Sequence, residues 1–439
     1  MENKFKYRMK ELIKSSINKL VSTGFFHIFG ATVVNKILAF LSNFFIVRLI
    51  SKSSFGTYTY ANNILSFLLL LSGIGLVSGV FQLCSENARN EKRAEEIYSY
   101  GTKIGILFNI VLAIIILIVS ILCKLPFEGA NRLLAMMSIT PIINILFEFQ
   151  QIYLRFKLKN KEYSYASTIN TVLILIFSVA GAAFFAAPGL IFGRYIAYII
   201  SEIINLRIFS SPILLLQVGK ITRGVKNVLY RISVISMLNN GLSQTLYLLD
   251  IFILGLVGIS GSGIASYKVA TIIPTALYFI PSAVCVYIYP YFAMNKDDTR
   301  WVIDNYKKTT LGMIALNGLI TVILIAAAPL VMNLCFGKQY VDAVKCFRIL
   351  MLGFFMNGSF RGIAGNLLVT QRRLKFNLFE GLVSGVVNII GNLILIPRMG
   401  SIGAAIATLC VMNVSAALSS GYFIYVLKKK ETMDNSLQP

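Results

Sequence analysis

This 439-residue chain has one histidine, one tryptophan and 18 acidic residues, and charged residues of either sign make up only 13% of it. The lone histidine, His27, opens an apolar run, so nucleophile–base catalysis and histidine-built metal centres lack their usual member. Neither a Walker loop nor a dinucleotide-binding fingerprint occurs, so the chain cannot itself couple ATP hydrolysis to any work it does. The six cysteines, Cys84, Cys123, Cys285, Cys335, Cys346 and Cys410, show no metal-ligand spacing and mostly lie in or near apolar runs, where cysteine behaves as a small hydrophobe. No enzyme, cofactor or metal site is expected. Long polar stretches are missing too, which leaves no room for a separate soluble domain or a large outer loop.

What the chain has instead is apolar surface: 56% of residues are hydrophobic and mean hydropathy is +0.74. Runs of about 20 apolar residues, each able to cross a ~30 Å hydrocarbon core as a helix, recur from end to end. Twelve spans are expected: 24–47, 58–83, 100–122, 133–154, 164–186, 189–209, 232–256, 264–293, 309–333, 346–369, 376–396 and 402–426. The fold class is all-α integral membrane.

A net charge of +23 would suggest a nucleic-acid partner in a soluble protein, but here its distribution matters more. With both termini on one side, that side takes 29 of the 41 Lys and Arg, against nine on the other and three within spans. The positive-inside rule therefore places both termini in the cytoplasm, with no role for nucleic acid. The basic start resembles a signal-peptide n-region. The run after it is too long for an h-region, however, is interrupted by Lys36 and has no small-residue cleavage site, so it is expected to be retained.

A charge at bilayer depth costs about 2.5–3.5 kcal/mol on insertion scales, so Lys36, Arg194 and Arg361, inside spans 1, 6 and 10, should face a cavity or a partner. At helical periodicity the polar residues of several spans fall on single faces. Span 1 groups Thr32, Lys36 and Asn43; span 4 groups Asn144, Glu148, Gln151 and Arg155. Span 6 groups Arg194, Tyr198, Ser201 and Asn205 with Glu202 beside them; span 7 groups Ser236, Asn239, Ser243, Tyr247 and Asp250; span 10 carries Asn357 and Arg361. Two readings are open: hydrogen-bonding glue between helices, or the lining of a water-filled path. Glu148, Glu202, Asp250 and Glu380 nearly balance the buried cations in number, which favours a mixed-charge interior over a purely basic one.

The two halves echo each other. Phe55-Gly56-Thr57-Tyr58-Thr59-Tyr60 and Ser262-Gly263-Ile264-Ala265-Ser266-Tyr267 share a Gly-to-Tyr spacing at an offset of 207, which also carries Asn43 onto Asp250. Pro188-Gly189-Leu190-Ile191-Phe192-Gly193 mirrors Met399-Gly400-Ser401-Ile402-Gly403 near the ends of the halves. Parallel repeats of this kind generate two lobes about an axis along the membrane normal. The expected layout is a basic cytoplasmic segment (1–23), an N-lobe of six helices (24–210), a linker (211–231), a C-lobe of six helices (232–427) and a tail (428–439), with a pseudo-two-fold between the lobes.

Three segments carry a family resemblance. They are Asn35-Lys36 with Arg48-Leu49-Ile50-Ser51-Lys52-Ser53-Ser54-Phe55-Gly56-Thr57-Tyr58, then Phe336-Gly337-Lys338-Gln339-Tyr340 with Ala343, and the stretch from Asn388 through Asn392, Ile396-Pro397 and Gly400 to Thr408. The chain resembles the polysaccharide repeat-unit flippases, the O-antigen translocase type of the multidrug/oligosaccharidyl-lipid/polysaccharide exporter superfamily. That resemblance implies two six-helix lobes working by alternating access in the bacterial inner membrane. The implied cargo is an undecaprenyl-pyrophosphate-linked oligosaccharide, with polymerase and assembly proteins as partners. A pyrophosphate needs cations, so Lys36, Arg361 and Arg194 are its expected contacts, with Asn43, Asn239 and Asn357 along the sugar path. Asp250, Glu148 and Glu202 are the expected gating or ion-coupling acids. A cation-coupled multidrug exporter shares the scaffold; a lipid II flippase usually has two further spans; a major-facilitator porter would carry a charged loop motif missing at Ser85–Asn90; and an assembly scaffold leaves the buried charges unexplained.

Overall fold

The computed structural model describes residues 25–213 and 221–436; the basic N-terminal segment, the linker stretch 214–220 with Lys220 and the last three residues lie outside the described residues. Every regular element among the described residues is helical. In hydrocarbon a backbone polar group without a partner costs several kcal/mol, and a helix satisfies its own, so long apolar runs have this solution. In chain order the helices are α1 (Phe25–Leu49), α2 (Lys52–Leu69), α3 (Leu76–Glu86), α4 (Glu91–Leu122), α5 (Ala130–Met136), α6 (Thr140–Phe156), α7 (Asn160–Arg207) and α8 (Arg223–Leu256). There follow α9 (Gly261–Leu277), α10 (Phe279–Met294), α11 (Thr299–Ala326), α12 (Ala328–Phe336), α13 (Val344–Met356), α14 (Gly362–Thr370), α15 (Leu374–Met399) and α16 (Ser401–Ser436). Among the described residues nine helical stretches are long and apolar enough to cross a membrane, and α2 with α3 makes a tenth, bent by 42°. This is a multi-pass membrane protein.

Packing divides the chain into two units. Among the described residues, the first comprises those up to Ile50, Ile64–Leu125 and those between Asn131 and Leu242; the second comprises Ser51–Asn63, Pro126–Ala130 and those from Ser243 onward. The chain thus changes unit five times, among them once inside α2 and once inside α8. In the first unit Leu76, Val80, Tyr98, Ile145 and Phe149 form a fully buried core, and the Tyr98 hydroxyl donates to the Pro212 carbonyl at 2.6 Å. In the second, Val302, Ile363, Leu367, Leu368 and Phe423 do the same.

The bend between α2 and α3 has a local cause and a local rescue. Gly73 and Ile74 adopt φ of 55° and 50°, and a side chain on Gly73 would strike Ile145 Cδ1 at 2.5 Å. The backbone groups freed by the break go to Asn109 of α4, which is fully buried. Its Oδ1 accepts from Gly73 N–H at 2.7 Å, and its Nδ2 donates to Pro141 O at 2.7 Å and Ser72 Oγ at 3.0 Å. Asn109→Leu keeps the branched shape and strands these groups in an apolar core, at about 1–3 kcal/mol for each one left unpaired. We expect a fall in melting temperature of the purified protein, and Asn109→Asp should lose less. An unchanged melting temperature in Asn109→Leu would contradict this account of the bend.

The echoed glycine segments do the same packing job. Inside α7 the helical path breaks at Phe185 and Ala186, and Pro188 lies in the first turn of the resumed helix, where its missing N–H is harmless. The returning helix then presses against its own first half, so that a Cβ on Gly193 would fall 2.1 Å from Phe177 O. Between α15 and α16 a Cβ on Gly403 would fall 2.2 Å from Leu395 O. Small residues at these points let two antiparallel helices approach backbone to backbone. Cys335 and Cys346 bracket the loop after α12; Cys346 is buried and Cys335 half-buried.

Candidate functional site

Asp250, near the C-terminal end of α8, is 7% exposed and lies in the second unit within a ring of neutral donors. Its Oδ2 accepts from the Tyr267 hydroxyl of α9 at 2.5 Å and from Thr408 Oγ1 of α16 at 2.8 Å. Its Oδ1 accepts from the Asn388 and Asn392 amides of α15 at 3.1 and 2.7 Å. Among the described residues no lysine or arginine forms an ion pair with it. A carboxylate taken out of water persists only if it is paired or hydrogen-bonded, and four charge-assisted bonds stabilise this one while leaving its charge uncompensated. Asn392 Oδ1 is buried with no partner among the described residues. The cage therefore offers one negative charge and a spare acceptor.

Three of the four donors, Asn388, Asn392 and Thr408, come from the segment that carries the family resemblance, whose spacing reads as turn and packing chemistry in sequence. The Asn-x-x-x-Asn spacing puts two amides on one face of α15, which is the signal that could have linked them to a buried charge. Asn43, at the echo position of Asp250, behaves differently: its amide donates to Ala39 O of its own helix at 2.9 Å.

Arg361 ends a wide π turn, Asn357–Arg361, between α13 and α14. Asn357 is buried and donates to the Tyr278 hydroxyl at 2.5 Å, a partner the sequence did not single out. Arg361 Nε lies 3.5 Å from Oε1 of Glu380 in α15. Glu380 is 3% exposed, and its Oε1 also accepts from Ser384 Oγ at 3.1 Å. Here a half-buried cation has a buried carboxylate beside it, as the near balance of charges anticipates.

In the first unit Lys36 is exposed on α1, and no carboxylate among the described residues pairs with it. Its stripe partner Thr32 donates to its own helix, as Asn43 does, while Asn35 donates to Ser167 Oγ of α7 at 2.9 Å. Around Tyr198, whose ring meets Phe147 edge-on at 5.5 Å, gather Arg194, Glu148 and Glu202. Ser201 and Asn205 are helix glue: Ser201 donates to Asn170 Oδ1 at 2.9 Å and Asn205 to Gln150 Oε1 at 3.0 Å. Glu148 and Asn239 are exposed on α6 and α8, and Glu202 is half-buried with Oε1 lacking a hydrogen-bond partner among the described residues. The span 7 stripe splits, since Tyr247 is 64% exposed while Asp250 is buried, and the Ser243 side chain lies outside the described residues. Lys268, counted with the outer-side cations, lies inside α9.

The other two resemblance segments meet in the second unit. Lys52 Nζ reaches both Asp342 oxygens at 2.7 Å and Gln339 O at 2.8 Å, and Ser266 Oγ donates to Asp342 Oδ2 at 2.8 Å. Lys52 also lies 5.3 Å from the centre of the buried Tyr340 ring.

Helices of this length and apolarity, carrying polar cages and an ion pair, define a polytopic membrane protein. Residues 45–345 match the family described as polysaccharide biosynthesis protein, and the chain belongs to that family. Among solved structures it is similar to the lipid II flippase MurJ in an inward closed conformation, with a TM-score of 0.72, 16% identity and coverage of 92% of this chain and 91% of that one. It is also similar to a multidrug resistance MATE family transporter of the MOP superfamily in its inward-facing conformation (TM-score 0.68, 15% identity, 91% and 96% covered). The outward-facing conformation of a MATE family transporter matches with a TM-score of 0.61, 12% identity and coverage of 93% and 96%. These likenesses establish the fold. No curated protein matches the chain in sequence.

Proposed function

We propose that this protein flips undecaprenyl-pyrophosphate-linked oligosaccharide repeat units from the cytoplasmic to the outer leaflet of a bacterial inner membrane, for O-antigen, capsule or a related surface polysaccharide. The observation that carries the reading is the coincidence of membership in a polysaccharide biosynthesis family with basic side chains, Lys36, Arg194 and Arg361, deep in helices of a flippase-like fold. Arginine presents a planar fork suited to phosphate oxygens. The sugars would take hydroxyl and amide partners such as Asn357, Tyr278 and Asn239, while the prenyl tail stays in lipid. Twelve crossings in two six-helix lobes (24–210 and 232–427), with both termini cytoplasmic, belong to this reading. The nine apolar stretches reach that number when the bent α2–α3 pair and α8 are added and the broken α7 is counted as two. Polymerase and assembly proteins would receive the flipped unit.

Asp250 is our choice for ion coupling, ahead of Glu148 and Glu202. Asparagine amides present either nitrogen or oxygen. Turning the Asn388 and Asn392 amides would convert a ring of donors around the carboxylate into a ring of acceptors around a monovalent cation. The same cage supports the second reading, a cation-coupled small-molecule exporter. Deleting the gene separates them: the flippase reading expects lipid-linked repeat units to accumulate unflipped and surface polysaccharide to disappear. Intact surface polysaccharide with new drug sensitivity would establish the exporter instead.

A further inference from the structure

Glu380 reaches Arg361 from the side, at Nε. Its Oε1 stands 3.5 Å from Nε, and among the described residues no ion pair engages the two terminal amino groups of the guanidinium. The Arg361 side chain is 39% exposed while Glu380 is 4% exposed, so the carboxylate is buried while the arginine beside it keeps accessible surface. Glu380 is itself held: Ser384 Oγ donates to the same oxygen at 3.1 Å, and Ser384 and Ser415 hydroxyls are hydrogen-bonded at 2.6 Å. The anchor thus spans α15 and α16, and α16 packs against the π turn that presents Arg361. A partly exposed arginine at membrane depth is stable only in a water-filled space or against an anion. A lone arginine on a flexible stem loses rotamer freedom on gripping a planar oxyanion, and a carboxylate fixed at Nε removes part of that loss beforehand.

We propose that Glu380 is a positioning residue: it holds Arg361 by Nε so that the two terminal amino groups meet a phosphate-type oxyanion end-on. This rests on the reading of the cargo as a diphosphate-linked lipid. The competing role is plain neutralisation of Arg361, and the two differ in sign. Removing the carboxylate makes the site one charge more positive, so a neutraliser lost should tighten anion binding, whereas a positioner lost should weaken it.

The test measures binding of farnesyl diphosphate to the purified full-length protein by calorimetry, with farnesol and inorganic pyrophosphate as further probes and melting temperature recorded for every variant. We expect wild type to bind farnesyl diphosphate and not farnesol, with pyrophosphate competing weakly. Arg361→Lys should weaken binding about tenfold although the charge is kept, because the fork is lost. Glu380→Gln should weaken it about fivefold, and adding Glu380→Gln to Arg361→Lys should weaken it no further. Equal or tighter binding by a folded Glu380→Gln protein overturns the proposal, as does wild-type binding by Arg361→Lys, which decides the matter if Glu380→Gln does not fold. A wild type that binds farnesol as well as the diphosphate, or binds neither, overturns the cargo reading itself, a result distinct from the other two. Pyrophosphate binding as tight as the lipid assigns the site to free phosphates and likewise overturns the lipid cargo.

Discussion

Asp250→Asn is expected to lower translocation about 100-fold, equivalent to about 3 kcal/mol, and to abolish its dependence on an imposed cation gradient. The carboxylate is the only charge in a cage of four neutral donors, so the substitution removes the feature that distinguishes a cation site from a polar core. Stability should move less than function. Losing a buried charge relieves a desolvation cost, while donors that faced it lose their acceptor, and these effects oppose each other. The measurement is uptake of a labelled lipid-linked substrate by proteoliposomes under sodium or proton gradients, with melting temperature alongside. A variant that keeps the wild-type gradient dependence would remove Asp250 from the coupling role, and attention would pass to Glu148 and Glu202 around Tyr198.

The second large effect concerns the basic residues. Lys36→Ala and Arg361→Ala should both abolish translocation, but by routes that protein levels distinguish. Lys36 is exposed and pairs with no carboxylate among the described residues, so its loss leaves stability near wild type. Arg361→Ala strands Glu380, which is 3% exposed, without its cation. Breaking a fully buried pair costs about 3–5 kcal/mol. The exposure of Arg361 and solvent screening reduce this to about 1–3 kcal/mol. The double variant Arg361→Ala with Glu380→Gln should recover membrane levels without recovering translocation. Full surface polysaccharide in either single variant at low expression would contradict an anionic cargo path; loss of Lys36→Ala from the membrane would instead make Lys36 a structural residue.

The apolar runs were legible because a bilayer admits few backbone solutions, and each expected span that falls among the described residues is helical. Breaks inside the runs were not. Gly73 and Ile74 sit within the run 58–83, and their bend depends on Asn109 reaching across from α4, which no local pattern encodes. The candidate residues divide in the same way. Helical periodicity placed Asp250 among polar neighbours along α8, yet its partners are Tyr267 of α9, 17 residues on, and three side chains 138 to 158 residues further along the chain in α15 and α16. Periodicity reports which residues share a face and is silent on what the face meets. For that reason Thr32, Ser201 and Asn205 look like path residues in sequence and are hydrogen-bonded to their own or neighbouring helices in the fold. Glu380 was visible only as a charge to be balanced; its position beside Arg361 is a property of the packing.

The central claim, transfer of a diphosphate-linked sugar lipid between leaflets, is tested most directly with purified protein in liposomes. A fluorescent, short-chain prenyl-diphosphate oligosaccharide placed in one leaflet would be followed by its accessibility to a membrane-impermeant glycosidase in the other. The account predicts transfer that depends on the protein, is competed by the unlabelled diphosphate lipid but not by the corresponding prenyl alcohol, and is lost in Lys36→Ala. Transfer absent under every gradient, together with export of cationic dyes by the same liposomes, would contradict it.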